Sequence, residues 1–141
     1  MVIDTSAIVA ILFGEPEARS FAHAIDQDLL RLMSAASVLE ATMVVESELG
    51  EAGGRELDLL LHRAGFEVVG FLPEQLEAAR HAFRTYGKGR HPAGLNFGDC
   101  FSYGLASSTG QPLLFKGNDF AGTDVEACLP VPKANDPPER T

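Results

Sequence analysis

Residues 1–16, "MVIDTSAIVAILFGEP", decide the architecture. Met1, Val2 and Ile3 make a short apolar, β-prone run that stops at Asp4-Thr5-Ser6, residue types whose side-chain oxygens cap helix N-termini. The following "SAIVAILFG" has the composition of a helix closed by Gly14, and Pro16 suits the first turn of a second helix over about residues 16–27. The segment is strand, helix, helix, with a carboxylate at the point where the strand ends.

That alternation continues. A short strand around Leu32 leads through Ser34 into a helix ending at Gly50, and "GRELDLLLHRAG" supplies another helix with Leu57, Leu60 and Leu61 at core spacing. "FEVVGF" is a strand, and "LPEQLEAARHAFRTYG" a helix bounded by Pro73 and Gly87. After the loop "KGRHPAG" come the helix "LNFGDCFSYGLAS", the strand "PLLFK" and a last strand, "DVEAC". Within the helix at 95–107, Phe97, Cys100, Phe101, Gly104 and Leu105 share a packed face, while Asn96, Asp99 and Tyr103 share an adjacent one. Strands alternating with helices predict an α/β fold: a mostly parallel sheet covered by helices on both sides, with the working crevice beyond the carboxyl ends of the strands. The domain is expected to span residues 1–129, and "PVPKANDPPERT", residues 130–141, to form an unstructured tail.

Composition narrows the function. A chain of 141 residues suits one domain, and 45% hydrophobic against 22% charged residues is the balance of a folding protein. No apolar run approaches a membrane span and the N-terminus lacks a basic leader, so a cytoplasmic protein is expected. Cys100 and Cys128 have no C-x-x-C partner, and the four histidines show no ligand spacing, so thiolate and imidazole metal sites are not indicated. A net charge of −9 argues against broad capture of nucleic acid. Yet Arg80, Arg84, Lys88 and Arg90 crowd into "RHAFRTYGKGR", either a solvated helix face or a phosphate-contacting patch.

The acids carry the chemistry. Asp4 follows the first strand, Asp119 follows a later one beyond the Gly117 turn, and Asp99 lies in the first turn of a helix that begins near the same edge. Glu40 sits inside a helix with Ala36, Ser37, Met43 and Val44 as its neighbours at three and four residues, a mostly apolar face on which a lone carboxylate is costly. Each also has an ordinary role: Asp4 and Asp119 as helix caps, Asp99 as a first-turn acid below an Asn96 cap, Glu40 as one half of an ion pair. Taken together they need a counter-charge, because two carboxylates 4 Å apart repel by roughly 4 kcal/mol at an effective dielectric near 20. Lys116 is the one basic residue in the neighbouring segments. Oxygen-only donors favour Mg²⁺ or Mn²⁺. Thr5, Ser6, Asn118, Lys116, Arg84 and Lys88 are candidate substrate contacts. Such a site points to phosphoryl or phosphodiester chemistry, and no phosphate-binding glycine loop or serine or cysteine nucleophile with a histidine base competes with water as the attacking group.

"VIDTSA", "SAASVLEA", "LNFGDCFSYGLA" and "PLLFKGNDFAGTDV" together resemble the PIN-domain family, and within it the VapC toxins of prokaryotic toxin-antitoxin pairs, over about residues 1–129. The resemblance implies a three-layer α/β/α sandwich and a Mg²⁺- or Mn²⁺-dependent endoribonuclease in which metal-activated water hydrolyses RNA to a 5′-phosphate and a 3′-hydroxyl. It also implies a homodimer held by a VapB-like antitoxin, with the acidic site on Asp4, Glu40, Asp99 and Asp119. One departure is that Gly117 stands where many relatives have the first Asp of D-x-D-F, so Asp124 competes with Asp119 as fourth acid. Two other functions stay open on the residues alone: a small-molecule phosphatase, disfavoured because "DTS" lacks the second Asp such enzymes use as general acid, and a non-catalytic RNA- or protein-binding module.

Overall fold

The computed structural model describes residues 1–131, so the expected unstructured tail lies, beyond Val131, outside the described residues. In chain order the elements are β1 (Val2–Ile3), α1 (Thr5–Leu12), α2 (Ala18–Gln27), β2 (Leu32–Ser34), α3 (Ala35–Arg63), β3 (Glu67–Val69), α4 (Pro73–Tyr86), α5 (Phe97–Thr109) and β4 (Leu113–Leu114), followed by a 3₁₀ turn at Phe120–Gly122. All four strands are parallel, in the order β3-β2-β1-β4. The register sets Val2 beside both Leu32 and Leu113.

Alternation along these strands divides the interior into two cores, as side chains on a pleated strand point to opposite faces. Ile3, Met33 and Leu114 pack with Ala7, Ile8, Phe21, Ile25, Ala41 and Leu57 from α1, α2 and α3. Val2, Leu32 and Leu113 pack on the other face with Ala82, Tyr103, Leu105 and Ala106 from α4 and α5. This is the expected three-layer α/β/α sandwich.

Gly50 divides α3 into the two helices expected from sequence, with a left-handed φ of 66° inside an otherwise continuous rod. The expected strand "DVEAC" is a correction: it contributes a single parallel bridge, Leu113 to Ala127, in which Leu113 N donates to Glu126 O at 2.8 Å and Cys128 N to Leu113 O at 3.0 Å. Two nearby bonds explain why no ladder extends from it. Val125 N donates to Thr123 Oγ1, and the Asp124 carboxylate accepts the Tyr103 hydroxyl at 2.7 Å, so this stretch is held by side chains.

Gly104 sets the contact between α4 and α5. A Cβ there would stand 2.8 Å from the Gln75 carbonyl oxygen and 3.4 Å from Ala79 Cβ, and the first of these is backbone that cannot rotate aside. Gly104→Val is therefore expected to destabilise the protein by about 1–3 kcal/mol, the usual cost of overpacking a tight interior. A urea midpoint unchanged from wild type would show that the two helices separate freely.

Candidate active site

The strand order makes the crevice. From β1 the chain crosses to β2 on one side, while β4 arrives on the other, so the carboxyl ends of β1 and β4 flank a topological switch point where open α/β sheets bind ligands. Asp4 sits at that point. Its backbone N–H donates to Leu114 O at 2.9 Å, which ties it to the end of β4, and it is only 4% exposed. The carboxylate is the N-cap of α1: Oδ2 accepts Ser6 N at 3.0 Å and Ser6 Oγ at 2.6 Å, while Oδ1 accepts Ser102 Oγ from α5 at 2.5 Å.

Asp99 has the capping role the sequence allowed. It closes a capping box with Asn96: the Asp99 N–H donates to Asn96 Oδ1 at 2.9 Å, and Asp99 Oδ2 accepts the Asn96 N–H at 3.0 Å. Burial pushes its carboxyl up from 3.8 to about 6; the Asn96 N–H opposes the rise, and the negative charges of Asp4, Asp119 and Glu40 add to it. The other three acids thus bear on Asp99 across the crevice.

Glu40, in the second turn of α3, reaches this place because Gly98 makes room. A Cβ on Gly98 would stand 2.1 Å from Glu40 Oε2 and 2.9 Å from Oε1. Asp119 follows β4 after Gly117, whose φ of +93° turns the chain sharply. It precedes the 3₁₀ turn without bonding it through its side chain, and its carboxylate is exposed. Asp124, the competing fourth acid, is occupied by Tyr103 and lines a separate recess with Ala106, Ser107 and Gly110.

Among the described residues, no lysine or arginine pairs with any of the four acids. Lys116 is turned away: its ammonium pairs with Glu15 and, at 3.4 Å, with Glu17. No three His, Cys, Asp or Glu side chains among the described residues already form a closed ligand cluster. Uncompensated oxygen donors, a desolvated carboxyl and the hollow at Gly98 nevertheless fit a hard divalent cation better than any protein counter-ion among the described residues.

The other candidates divide. Thr5 is buried and donates its hydroxyl to Ser37 O at 3.1 Å; Ser6 Oγ bonds Asp4 and accepts the Lys116 N–H at 3.0 Å. Both hydroxyls hold the end of β1 against its neighbours. Asn118 is exposed on a recess shared with Glu17, Lys116 and Val131. Arg84 and Lys88 line a groove between α4 and α5 with Phe71, Phe83, Asn96 and Phe97, and none of the four acids lines that groove. Of their basic neighbours there, Arg80 pairs with Glu77 at 3.1 Å and Arg90 lies 4.7 Å above the Phe83 ring.

Two expectations on α5 change. Phe97 is 81% exposed instead of packed, because it is the first residue of the helix; its ring meets the Phe101 ring edge-on, at 4.8 Å between ring centres. Tyr103 leaves the Asn96–Asp99 stripe for the interior and the Asp124 bond. Sequence reading missed Ser102, Ser37 and Gly98. A hydroxyl three residues after Asp99 in an otherwise apolar helical run was the available signal for Ser102.

Residues 1–126 match the family model described as PIN domain. The chain is 62% identical over 125 residues, 89% of its length and 95% of the relative's, to a VapC ribonuclease of Mycobacterium bovis and equally to ribonuclease VapC30 of Mycobacterium tuberculosis. Among solved structures it is similar to Mycobacterium tuberculosis VapC20, described as a sarcin-ricin loop cleaving toxin, with a TM-score of 0.72 at 13% identity over 88% of this chain and 95% of that one. It is also similar to VapBC2 from Rickettsia felis bound to a DNA fragment from its promoter, with a TM-score of 0.68 at 16% identity over 89% and 94% of the two chains.

Proposed function

The chain belongs to the PIN-domain family, and on that premise we propose that it is a VapC-type toxin, an endoribonuclease that hydrolyses RNA phosphodiester bonds and is restrained by a cognate VapB-like antitoxin. The observation that carries the reading is the gathering of Asp4, Glu40, Asp99 and Asp119 at the switch point without a basic partner among the described residues, where burial holds the Asp99 carboxyl above its ordinary range. Asp4, Glu40, Asp99 and Asp119 are the residues to hold Mg²⁺ or Mn²⁺. When bound, such an ion lowers the pKa of water and stabilises charge developing on phosphate.

The chain's own groups do the rest. Asp4 and Asp99 are fixed before substrate arrives, one by Ser6 and Ser102 and the other by its capping box, so little reorganisation is needed at the reacting phosphate. Arg84 and Lys88 contact flanking phosphates along the groove, which lets a protein of net charge −9 engage RNA locally. In the reaction the oxygen of water bonds to phosphorus as the bond to the 3′ oxygen breaks. The electron pair leaves with that oxygen, which takes a proton as the attacking water gives one up to solvent, giving a 5′-phosphate and a 3′-hydroxyl. Exposed Phe97 lies with exposed Phe71, Leu76 and Phe83 along the α4–α5 groove, and a contiguous apolar patch of this kind supports the expected self-association. Among the described residues no helix is long and apolar enough to cross a membrane.

Treatment with a chelator is expected to abolish cleavage of a structured RNA, with recovery on adding Mn²⁺ and none on adding Ca²⁺-free buffer alone. Undiminished cleavage in the chelated protein would overturn the metal-dependent reading, and turnover of a phosphate monoester without RNA cleavage would favour a phosphatase.

A further inference from the structure

Ser102 has no exposed surface, yet its hydroxyl reaches the acid at the centre of the crevice across 98 residues of sequence. An ionised carboxylate offers about four lone-pair sites, two on each oxygen. Ser6 supplies both of its donors to Asp4 Oδ2, at 3.0 and 2.6 Å, and Ser102 Oγ takes one site on Oδ1 at 2.5 Å. One lone pair is left, on Oδ1. We infer that Ser102 is a positioning residue that directs Asp4 so that it meets a divalent cation through Oδ1 alone; the inference rests on the reading of Asp4 as a cation ligand.

The hydroxyl network has a fixed direction. With Asp4 ionised, the single Ser102 hydroxyl hydrogen goes to Oδ1, so the 3.3 Å contact between Ser37 Oγ and Ser102 Oγ runs from Ser37 as donor. Ser37, Ser102 and Asp4 are each at most 4% exposed, and successive donors in such a chain polarise one another. Ser37 is itself secured, because its backbone oxygen accepts the Thr5 hydroxyl at 3.1 Å. The network therefore joins α3, α5 and the end of β1. Ser102 also lies three residues beyond Asp99 on the same helix, so α5 presents one candidate ligand and grips another, setting their separation through one rigid element.

Calorimetric titration with Mn²⁺, alongside melting of the cation-free protein, separates positioning from simple packing. Ser102→Ala is expected to bind Mn²⁺ about tenfold more weakly, the low end of the effect of removing a group that orients a metal ligand, while melting within a few degrees of wild type. Ser37→Ala, which leaves the Ser102–Asp4 bond in place, is expected to lose less, and Ser102→Thr, which keeps the hydroxyl, to retain near wild-type affinity. Ser107→Ala, on the exposed part of α5, is the control and should bind as wild type. Equal or tighter binding by Ser102→Ala, or equal losses in the Ala and Thr variants of Ser102, would overturn the inference while leaving the site intact. A wild type that takes up no Mn²⁺, or uptake unaffected by Asp4→Asn, would instead remove the ligand reading on which it depends.

Discussion

Asp99→Asn is expected to reduce RNA cleavage by about 10²–10³-fold and, at neutral pH, to raise the melting temperature of the cation-free protein. The rate loss follows from removing a charged candidate ligand: metal stabilisation of transition-state charge is worth several kcal/mol, and each 1.36 kcal/mol is tenfold in rate. The gain in stability has a different origin. Asp99 has a folded-state pKa of about 6 against an ordinary value of 3.8, so the folded protein binds the proton more tightly than the unfolded chain does. Its stabilising contribution is complete below about 3.8 and is lost as pH rises through about 6. Above that range the wild type holds an ionised carboxylate among three others, which asparagine avoids while its side-chain oxygen still accepts the Asn96 N–H.

The two proteins should therefore melt together near pH 4 and diverge towards pH 7.5, the variant melting about 4 °C higher for each kcal/mol relieved. Saturating Mn²⁺ should reverse the order at pH 7.5, since a ligand that binds only the folded state stabilises it in proportion to the logarithm of its concentration over its dissociation constant. A cation-free variant less stable than wild type at pH 7.5 would mean that the capping bond outweighs the charge cluster. Full cleavage activity in the variant would remove Asp99 from the site.

Gly98→Ala is the second large effect, and it separates geometry from charge because no ionisable group is altered. The new Cβ would occupy the place of the Glu40 carboxylate, 2.1 Å from Oε2 and 2.8 Å from Cδ. The atoms in the way are the far end of a flexible side chain, so the cheapest response is for Glu40 to swing out while α3 and α5 stay put. Alanine also narrows the conformational freedom of the unfolded chain, which stabilises by roughly 0.4–1 kcal/mol where the backbone is compatible, and Gly98 has no left-handed φ. The variant is expected to melt at or above the wild-type temperature while losing at least about tenfold in cleavage and in Mn²⁺ affinity, the scale of a displaced metal-ligand partner. Glu40→Gln should lose a similar factor, and the double variant little more than either alone, because both changes remove one interaction. Additive losses would show that Gly98 acts through something other than Glu40.

Much of this site was legible in the sequence because its signals are local. Strand-to-cap junctions at Ile3-Asp4 and Ser34-Ala35 are written in consecutive residues, as is the Asn96–Asp99 capping box, and the first two place an acid-bearing segment at a strand's carboxyl end. Glu40 stood out because helical periodicity put it on an apolar face. The alternation of strands and helices was enough to predict parallel pairing, and a motif set spread across the chain carried the family resemblance.

What only the tertiary structure decided depends on pairing between distant edges, where no periodicity operates. The order β3-β2-β1-β4 puts β1 between its two neighbours and opens the switch-point crevice at Asp4; a different order of the same strands would leave that acid elsewhere. The Ser102–Asp4 bond, the hollow Gly98 leaves for Glu40, the diversion of Lys116 to Glu15 and Glu17, and the capture of Asp124 by Tyr103 all join residues whose separation along the chain carries no pattern. The sequence by itself determined which residues carry charge and which turns begin and end each element, since those follow from local backbone and capping chemistry. Which carboxylates remain without a basic partner among the described residues was decided only when close packing assigned the nearby donors.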